Sequence, residues 1–326
     1  MHQRSKEHPK QRLLTEVGVG VSSLSREGGV GWPRRILLGI RRNFFGLAAI
    51  APAAGCMVGF LILPAIVIAA ISLTNWIGIG PIEKIVGLRN YRFIVDQGGF
   101  PDSLRITATY TVVMTVTTTV LGFVLASLIH RRLRGWRVYK VAWFVPVLIP
   151  GTVTAILWSG GVFAPSIGAL DTIAARSGLP VPESGWLGEP GFALGAVIVT
   201  AVWAYTGWPM LLMSAALEKI PRDYFEAAAI DGAGWLATTW RVTLPSMAPV
   251  IATVLTLQLV FGLKVFDIVY VMTGGGPSNY TRVLSVLMWQ WAFPSGRFAI
   301  GAAVAVLMIL IITPLALLQR RLHPQG

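Results

Sequence analysis

The stretch EAAAIDGAGWLATTWRVTLP, Glu226 to Pro245, sits between two long apolar runs, and its reading decides how the rest of the chain is understood. Just upstream, Pro221 suits the first turn of a helix, where its missing N–H costs nothing. Asp223 and Glu226 complement the positive end of the helix dipole. Glu226, Ala227, Ala228 and Ala229 form helix well, and Gly232 offers the left-handed conformation that ends one. A second helical stretch is expected from Trp235 to Val242, reaching Leu244 and Pro245 where the chain turns apolar again. Two short helices about a sharp turn make a convex polar knob. Set between apolar runs, such a knob must lie outside the bilayer, and it is best read as a docking surface for another protein.

The composition places the rest of the chain. Of 326 residues 54% are hydrophobic and only 13% charged, and the mean hydropathy is +0.67, which excludes an ordinary soluble domain. Twelve Trp and 35 Gly suit a membrane protein, whose interfaces take aromatics and whose helices approach through small residues. The net charge of +13 is bunched beside apolar runs: Arg34, Arg35, Arg41 and Arg42; Arg131, Arg132, Arg134, Arg137 and Lys140; Arg320 and Arg321. That is positive-inside patterning rather than a nucleic-acid face. The single Cys56 gives neither disulfide nor thiolate metal site, and His2, His8, His130 and His323 are not at metal-ligand spacing. No metal or catalytic site is expected.

Residues 1–43 read as a basic, largely disordered cytoplasmic tail. A spanning helix needs about 20 apolar residues, and six runs qualify, near 44–74, 107–130, 139–162, 191–217, 246–272 and 297–319. They make an all-α transmembrane domain over 44–319, with a short tail at 320–326. An even number of spans puts both termini on one side. The Lys/Arg-rich termini and the 130–140 loop make that side the cytoplasm, although Lys84, Arg89, Arg92 and Arg105 leave the first outer loop more basic than the rule favours. The 218–245 loop then faces the cytoplasm.

Glu226, Ala227, Ala228, Gly232, Val242, Leu244 and Pro245 resemble the EAA loop of ABC-importer permeases, with Val242 where the family usually has Ile. The resemblance implies a coupling helix seated in a cleft of a cytoplasmic ATPase, with Glu226 facing a basic group, Asp231 beside it and Gly232 permitting the turn. VFDIVYVMTGGGPSNYT, Val265 to Thr281, is similar to carbohydrate permeases of the maltose-transporter type, as is GLRNYRFIVD, Gly87 to Asp96. Nearly all of the chain after the tail is covered. The fold implied is the type I importer permease. The partners implied are a second permease, two ATPase chains carrying ATP and Mg, an extracytoplasmic solute-binding protein and a sugar substrate, in a bacterial inner membrane. The sequence has no Gly-x-x-x-x-Gly-Lys-Ser/Thr phosphate loop, so the chain is expected to bind no nucleotide itself.

Charge inside a bilayer is expensive and marks pathways. Lys264 and Asp267, three residues apart, are expected on adjacent turns of one face of the fifth span, with Gln258 below; the bland reading is a neutralised pair. Trp203, Tyr205, Trp208 and Tyr270 are candidate sugar-facing aromatics, although most membrane tryptophans are interfacial anchors. Gly191 and Gly195 are expected to mark close helix packing. Gly274, Gly275, Gly276, Pro277 and Asn279 form a flexible outer turn that could meet the binding protein. The alternative is an ion-gradient-driven secondary transporter, which would want a carboxylate-rich midplane and inverted repeats. The sequence leaves open which sugar or polyol is carried.

Overall fold

The computed structural model describes residues 44–132 and 134–322; the expected tail over 1–43 and residues 323–326 of the C-terminal tail lie outside it. The helices in chain order are α1 (Ala48–Ile71), α2 (Arg89–Asp96), α3 (Phe100–His130), α4 (Trp136–Leu148), α5 (Gly151–Val162) and α6 (Ala169–Arg176), followed by α7 (Pro190–Leu217), α8 (Arg222–Ile230), α9 (Trp235–Leu263), α10 (Asp267–Thr273), α11 (Leu284–Ala292) and α12 (Phe298–Leu322). The chain divides into two units, Met1–Ile62 and Leu63–Gly326. In the first, Ile50, Met57, Phe60 and Leu61 are exposed along a wholly apolar helix. Everything below concerns the second.

Five helices are long and apolar enough to span a bilayer, and α4 with α5 supply the sixth span as a pair bent by 104°. The third run, near 139–162, is therefore broken. Its cause is local: Pro150 pushes Ile149 into extended backbone, φ −83° and ψ 127°, so the helix cannot pass through.

The organising element is α3, whose 31 residues start behind Gly99 in the left-handed region and carry Asp102 in the first turn. One face is unusually rich in small hydroxyls: Ser103, Thr107, Thr111, Thr115, Thr118 and Thr119 are all buried. Two of them return their hydrogen to the chain, Thr107 to Ser103 O at 2.6 Å and Thr118 to Met114 O at 2.8 Å, while the hydroxyls of Ser103, Thr111, Thr115 and Thr119 have no partner. Small side chains let neighbours approach closely without any hydrophobic drive inside lipid. A Cβ on Gly122 would lie 2.7 Å from Pro209, and one on Gly262 2.7 Å from Thr111, so α7 and α9 both press on α3 through glycine. Gly191 and Gly195, expected to do this, meet nothing within 4 Å. Their spacing suits a packing face, but no helix among the described residues sits against them.

The core falls into patches along α3. One gathers Tyr110, Met114, Ala201, Ala204, Ile268 and Val269; another, toward the 218–245 end, gathers Ala126, Met213, Leu217, Met247 and Val254. Between them Gln258 Nε2 donates to Thr118 Oγ1 at 2.8 Å, a buried bond linking α9 to α3 across 140 residues of sequence.

Two further departures concern α9. The second short helix expected before Pro245 is not separate: Trp235 to Leu263 is one helix, with a π-helical turn at Thr239–Thr243 directly before Leu244 and Pro245. In a regular α turn the Pro245 ring would crowd the carbonyl of Arg241, and the wider turn avoids it. At its other end α9 stops at Leu263, and α10 begins only at Asp267.

Candidate functional site

At the loop end, Pro221 stands immediately before α8 with φ −57°, and Asp223 occupies the first turn. The helix closes in a Schellman motif: Ala233 N–H donates to Ala228 O at 2.9 Å and Gly232 N–H to Ala229 O at 3.1 Å, with Gly232 at φ 73°. A Cβ there would touch nothing, so the need for glycine is conformational rather than steric. The knob leans on the end of α3 through two contacts. Phe225 and His130 lie with ring centroids 6.0 Å apart, and the Arg131 guanidinium sits 4.6 Å from the centroid of Trp235.

The outward face of this knob mixes charge with large apolar side chains. Glu226, Ala227, Asp231, Gly232 and Pro245 are exposed, while Ala228 and Leu244 are half-buried. Around them Ile230 is 87% exposed, and Tyr224, Trp235, Leu236 and Trp240 are exposed as well. Ile230, Trp235 and Leu236 were not among the sequence candidates. Their signal was available, because large apolar residues in a loop otherwise polar and outside the bilayer have no core of their own to enter.

The second feature is a cavity of about 580 Å³ where α3, α4, α7 and α9 meet the start of α10. Tyr205, Trp208, Gln258, Lys264 and Asp267, all sequence candidates, line it. The sequence reading missed Tyr110, Met114, Val147, Phe261 and Phe266. Lys264 and Asp267 do reach the same cavity, but not as adjacent turns of one helix. Lys264 caps α9 with φ −104° and ψ 6°, and Asp267 opens α10 after Phe266 at φ −138°. Gln258 is 2% exposed and spends its amide on Thr118, so it is chiefly a brace.

Asp267 and Tyr205 converge on the bend of the third span. A Cβ at Gly151, the first residue of α5, would lie 3.4 Å from Tyr205 Oη, 3.5 Å from Asp267 Cβ and 3.7 Å from Asp267 Oδ2. The carboxylate thus lies by a helix start, where the backbone dipole favours negative charge. Tyr110 is fully buried and its hydroxyl has no hydrogen-bond partner. Chemically the cavity offers aromatic faces, one cation, one carboxylate and an unspent phenol, a wall for a polar solute with apolar faces and hydroxyls. Two candidates stand elsewhere. Trp203 packs against Trp158 with centroids 5.5 Å apart, and Tyr270 belongs to an aromatic stack with Phe266 at 5.1 Å and Trp289 at 4.5 Å.

At the far end, the Gly274–Asn279 turn is not the flexible element expected. Gly274 caps α10 at φ 61° and Gly275 follows at φ 92°, both left-handed. The Thr281 hydroxyl donates to Gly276 O at 2.7 Å and lies 2.7 Å from the Thr273 hydroxyl, while Gln290 Nε2 donates to Gly274 O at 3.1 Å. Beside it, burial pushes the Arg282 guanidinium below its ordinary range, and the nearby Asp102 carboxylate partly offsets this. Pro277 is half-buried, while Asn279 and Tyr280 are exposed.

The chain as a whole is similar to known proteins. The trehalose/maltose transport system permease protein MalF of Thermococcus litoralis is 33% identical over 272 residues, covering 83% of this chain and 91% of that protein. The multiple sugar-binding transport system permease protein MsmF of Streptococcus mutans is 31% identical over 251 residues, 77% of this chain and 85% of that one. In fold, a chain of a bacterial alginate ABC transporter in complex with an alginate pentasaccharide-bound periplasmic protein matches with TM-score 0.76 at 20% identity, covering 89% of this chain and 98% of that one. The family model described as binding-protein-dependent transport system inner membrane component matches residues 118–325, and with these relatives it establishes that the chain belongs to that family of multi-pass inner-membrane permeases.

Proposed function

We propose that this chain forms, with a second related permease, the membrane pathway of an ATP-driven importer for a sugar or sugar-like solute. The solute is handed over by an extracytoplasmic binding protein. The reading draws its cargo class and partners from the sugar-transport relatives, and family membership displaces the ion-gradient alternative. Both termini and the 218–245 loop face the cytoplasm. Two ATPase chains, holding ATP and Mg, dock there, and this chain binds no nucleotide.

The observation that carries the reading is the knob itself: α8 closes in a Schellman turn, and the knob leaves Glu226, Ile230 and, at the start of α9, Leu236 in solvent. A surface that exposes such large apolar residues is built to be covered by a partner. Ile230 and Leu236 fit an apolar hollow, and Glu226 a basic group at its rim. Closure of the ATPase pair then moves α8 as a rigid body. Because α9 runs unbroken from the knob into the bilayer, that movement reaches Gln258, Phe261 and Lys264 at the cavity. In the cavity, Trp208 and Phe261 stack on the C–H faces of the solute while Lys264 and Asp267 bind its oxygens.

The test is co-purification from native membranes in mild detergent, paired with uptake of a radiolabelled sugar panel by the reconstituted assembly. An ATPase chain should accompany the wild type and be lost from Gly232→Pro, and uptake should need ATP and ignore an uncoupler. A chain that emerges without an ATPase would overturn the reading.

A further inference from the structure

Between α3 and the first turns of α9 runs a groove of about 430 Å³ with an almost wholly apolar wall. Val120, Phe123 and Val124 of α3 face Trp240, Leu244 and Ile251 across it. Val120, Val124 and Leu128 are exposed in a helix long and apolar enough to span the membrane, so they lie at the depth of the hydrocarbon. From Val120 to Leu128 is eight residues of helix, about 12 Å along the membrane normal if the helix is upright. At the end nearest the knob stands Arg131, held over Trp235, and no carboxylate is found among the residues that line the groove.

The same Arg131 also lines a neighbouring cleft of about 420 Å³, which adds His130, Arg132 and Arg222 against a single carboxylate, Glu218. An apolar channel in the hydrocarbon zone thus opens on a positive pocket at the headgroup level. This is the charge and polarity profile of one molecule type, an acyl chain ending in an anionic head.

We infer that the groove binds an acidic phospholipid of the leaflet on the knob side, its acyl chain along Val120–Leu128 and its phosphate at Arg131. The lipid fastens α3 to the beginning of α9, so the stiffness of the knob depends on membrane composition. This inference rests on the knob lying at a membrane boundary, and needs neither the cargo nor the identity of the ATPase.

The experiment uses the complete assembly isolated from native membranes and equilibrated in micelles holding equal phosphatidylglycerol and phosphatidylcholine, with retained lipid counted by native mass spectrometry. Wild type should keep phosphatidylglycerol preferentially. Arg131→Gln should weaken that preference roughly fivefold, the effect of one basic group near an anionic surface. Val124→Trp, which fills the groove, should lose the retained lipid, while Val112→Trp on an exposed turn elsewhere on α3 should not. Unchanged preference in Arg131→Gln together with unchanged retention in Val124→Trp overturns the inference. So does shielding of a Val124→Cys thiol, in a Cys56→Ser background, from a lipid-phase maleimide by a partner chain. Loss of the ATPase from the assembly would instead count against the function proposed above.

Discussion

α8 and α10 both end in a left-handed glycine, and they finish in opposite ways. α10 closes at Gly274, and the carbonyls of the turn are met from within: Thr281 is fully buried with its hydroxyl on Gly276 O, and Gln290 covers Gly274 O. α8 closes at Gly232 with equal backbone completeness, yet its surroundings are open. Ile230 is 87% exposed, and Tyr224, Trp235 and Leu236 around it are exposed as well. One turn is a finished part of the fold, and the other is a surface waiting for a partner. The same local chemistry therefore serves stability at one end and transmission at the other.

If that contrast holds, damage at the two glycines should appear in different assays. The largest effect is expected for Gly232→Val. A β-branched residue at φ 73° is strained by about 1–3 kcal/mol, which an exposed turn relieves by unwinding the end of α8 rather than by unfolding the bundle. ATP-dependent uptake should fall by an order of magnitude or more while the chain still reaches the membrane at normal abundance. Uptake near wild type would mean that the turn is as self-contained as its counterpart.

A charge reversal sharpens the same point. Glu226 is exposed, so Glu226→Lys should leave thermal stability within about 0.5 kcal/mol of wild type. ATPase co-purification should nevertheless drop several-fold. Unchanged co-purification would place the contact on Ile230 and Leu236 alone.

The knob could be read from sequence because every signal in it is local: Pro221 before the helix, alanines within it, Gly232 after it. The cavity could be read only in part. Lys264, Asp267, Tyr205 and Trp208 announced themselves as polar or aromatic residues in apolar runs, which is expensive in lipid wherever they point. Tyr110, Met114 and Phe261 did not, because an aromatic or methionine in a spanning helix reads equally well as core or lipid contact. The break between Leu263 and Asp267 was hidden as well. No proline or glycine marks it at Lys264–Phe266, and the hydrophobic run continues across it. Tertiary packing against the bent α4–α5 pair gives that segment its shape, and no single stretch of sequence contains both partners.

The cavity lies between the two turns, and Asp267→Asn tests whether it belongs with transmission or with stability. Asp267 is exposed to the cavity, so the neutral isostere should leave folding intact. If the carboxylate grips a solute hydroxyl, uptake should show a several-fold higher KM, about 1–2 kcal/mol for one charge-assisted hydrogen bond, with coupling to ATP unchanged. A change in ATPase coupling without a change in KM would assign Asp267 to the movement of α10 against α5 instead.

The smallest functional effect is expected at the finished turn. Thr281→Val keeps the shape of the side chain and removes the hydroxyl that donates to Gly276 O and neighbours Thr273. The loss of a buried partner should cost about 1–3 kcal/mol, seen as a lower melting temperature of the purified assembly. Uptake per folded assembly should stay near wild type, because the turn transmits nothing through that bond. Were uptake to fall with no change in melting, the outer turn would also have to be read as a working surface, with exposed Asn279 and Tyr280 as its contacts. The contrast between the two glycine caps would then be one of partner, not of purpose.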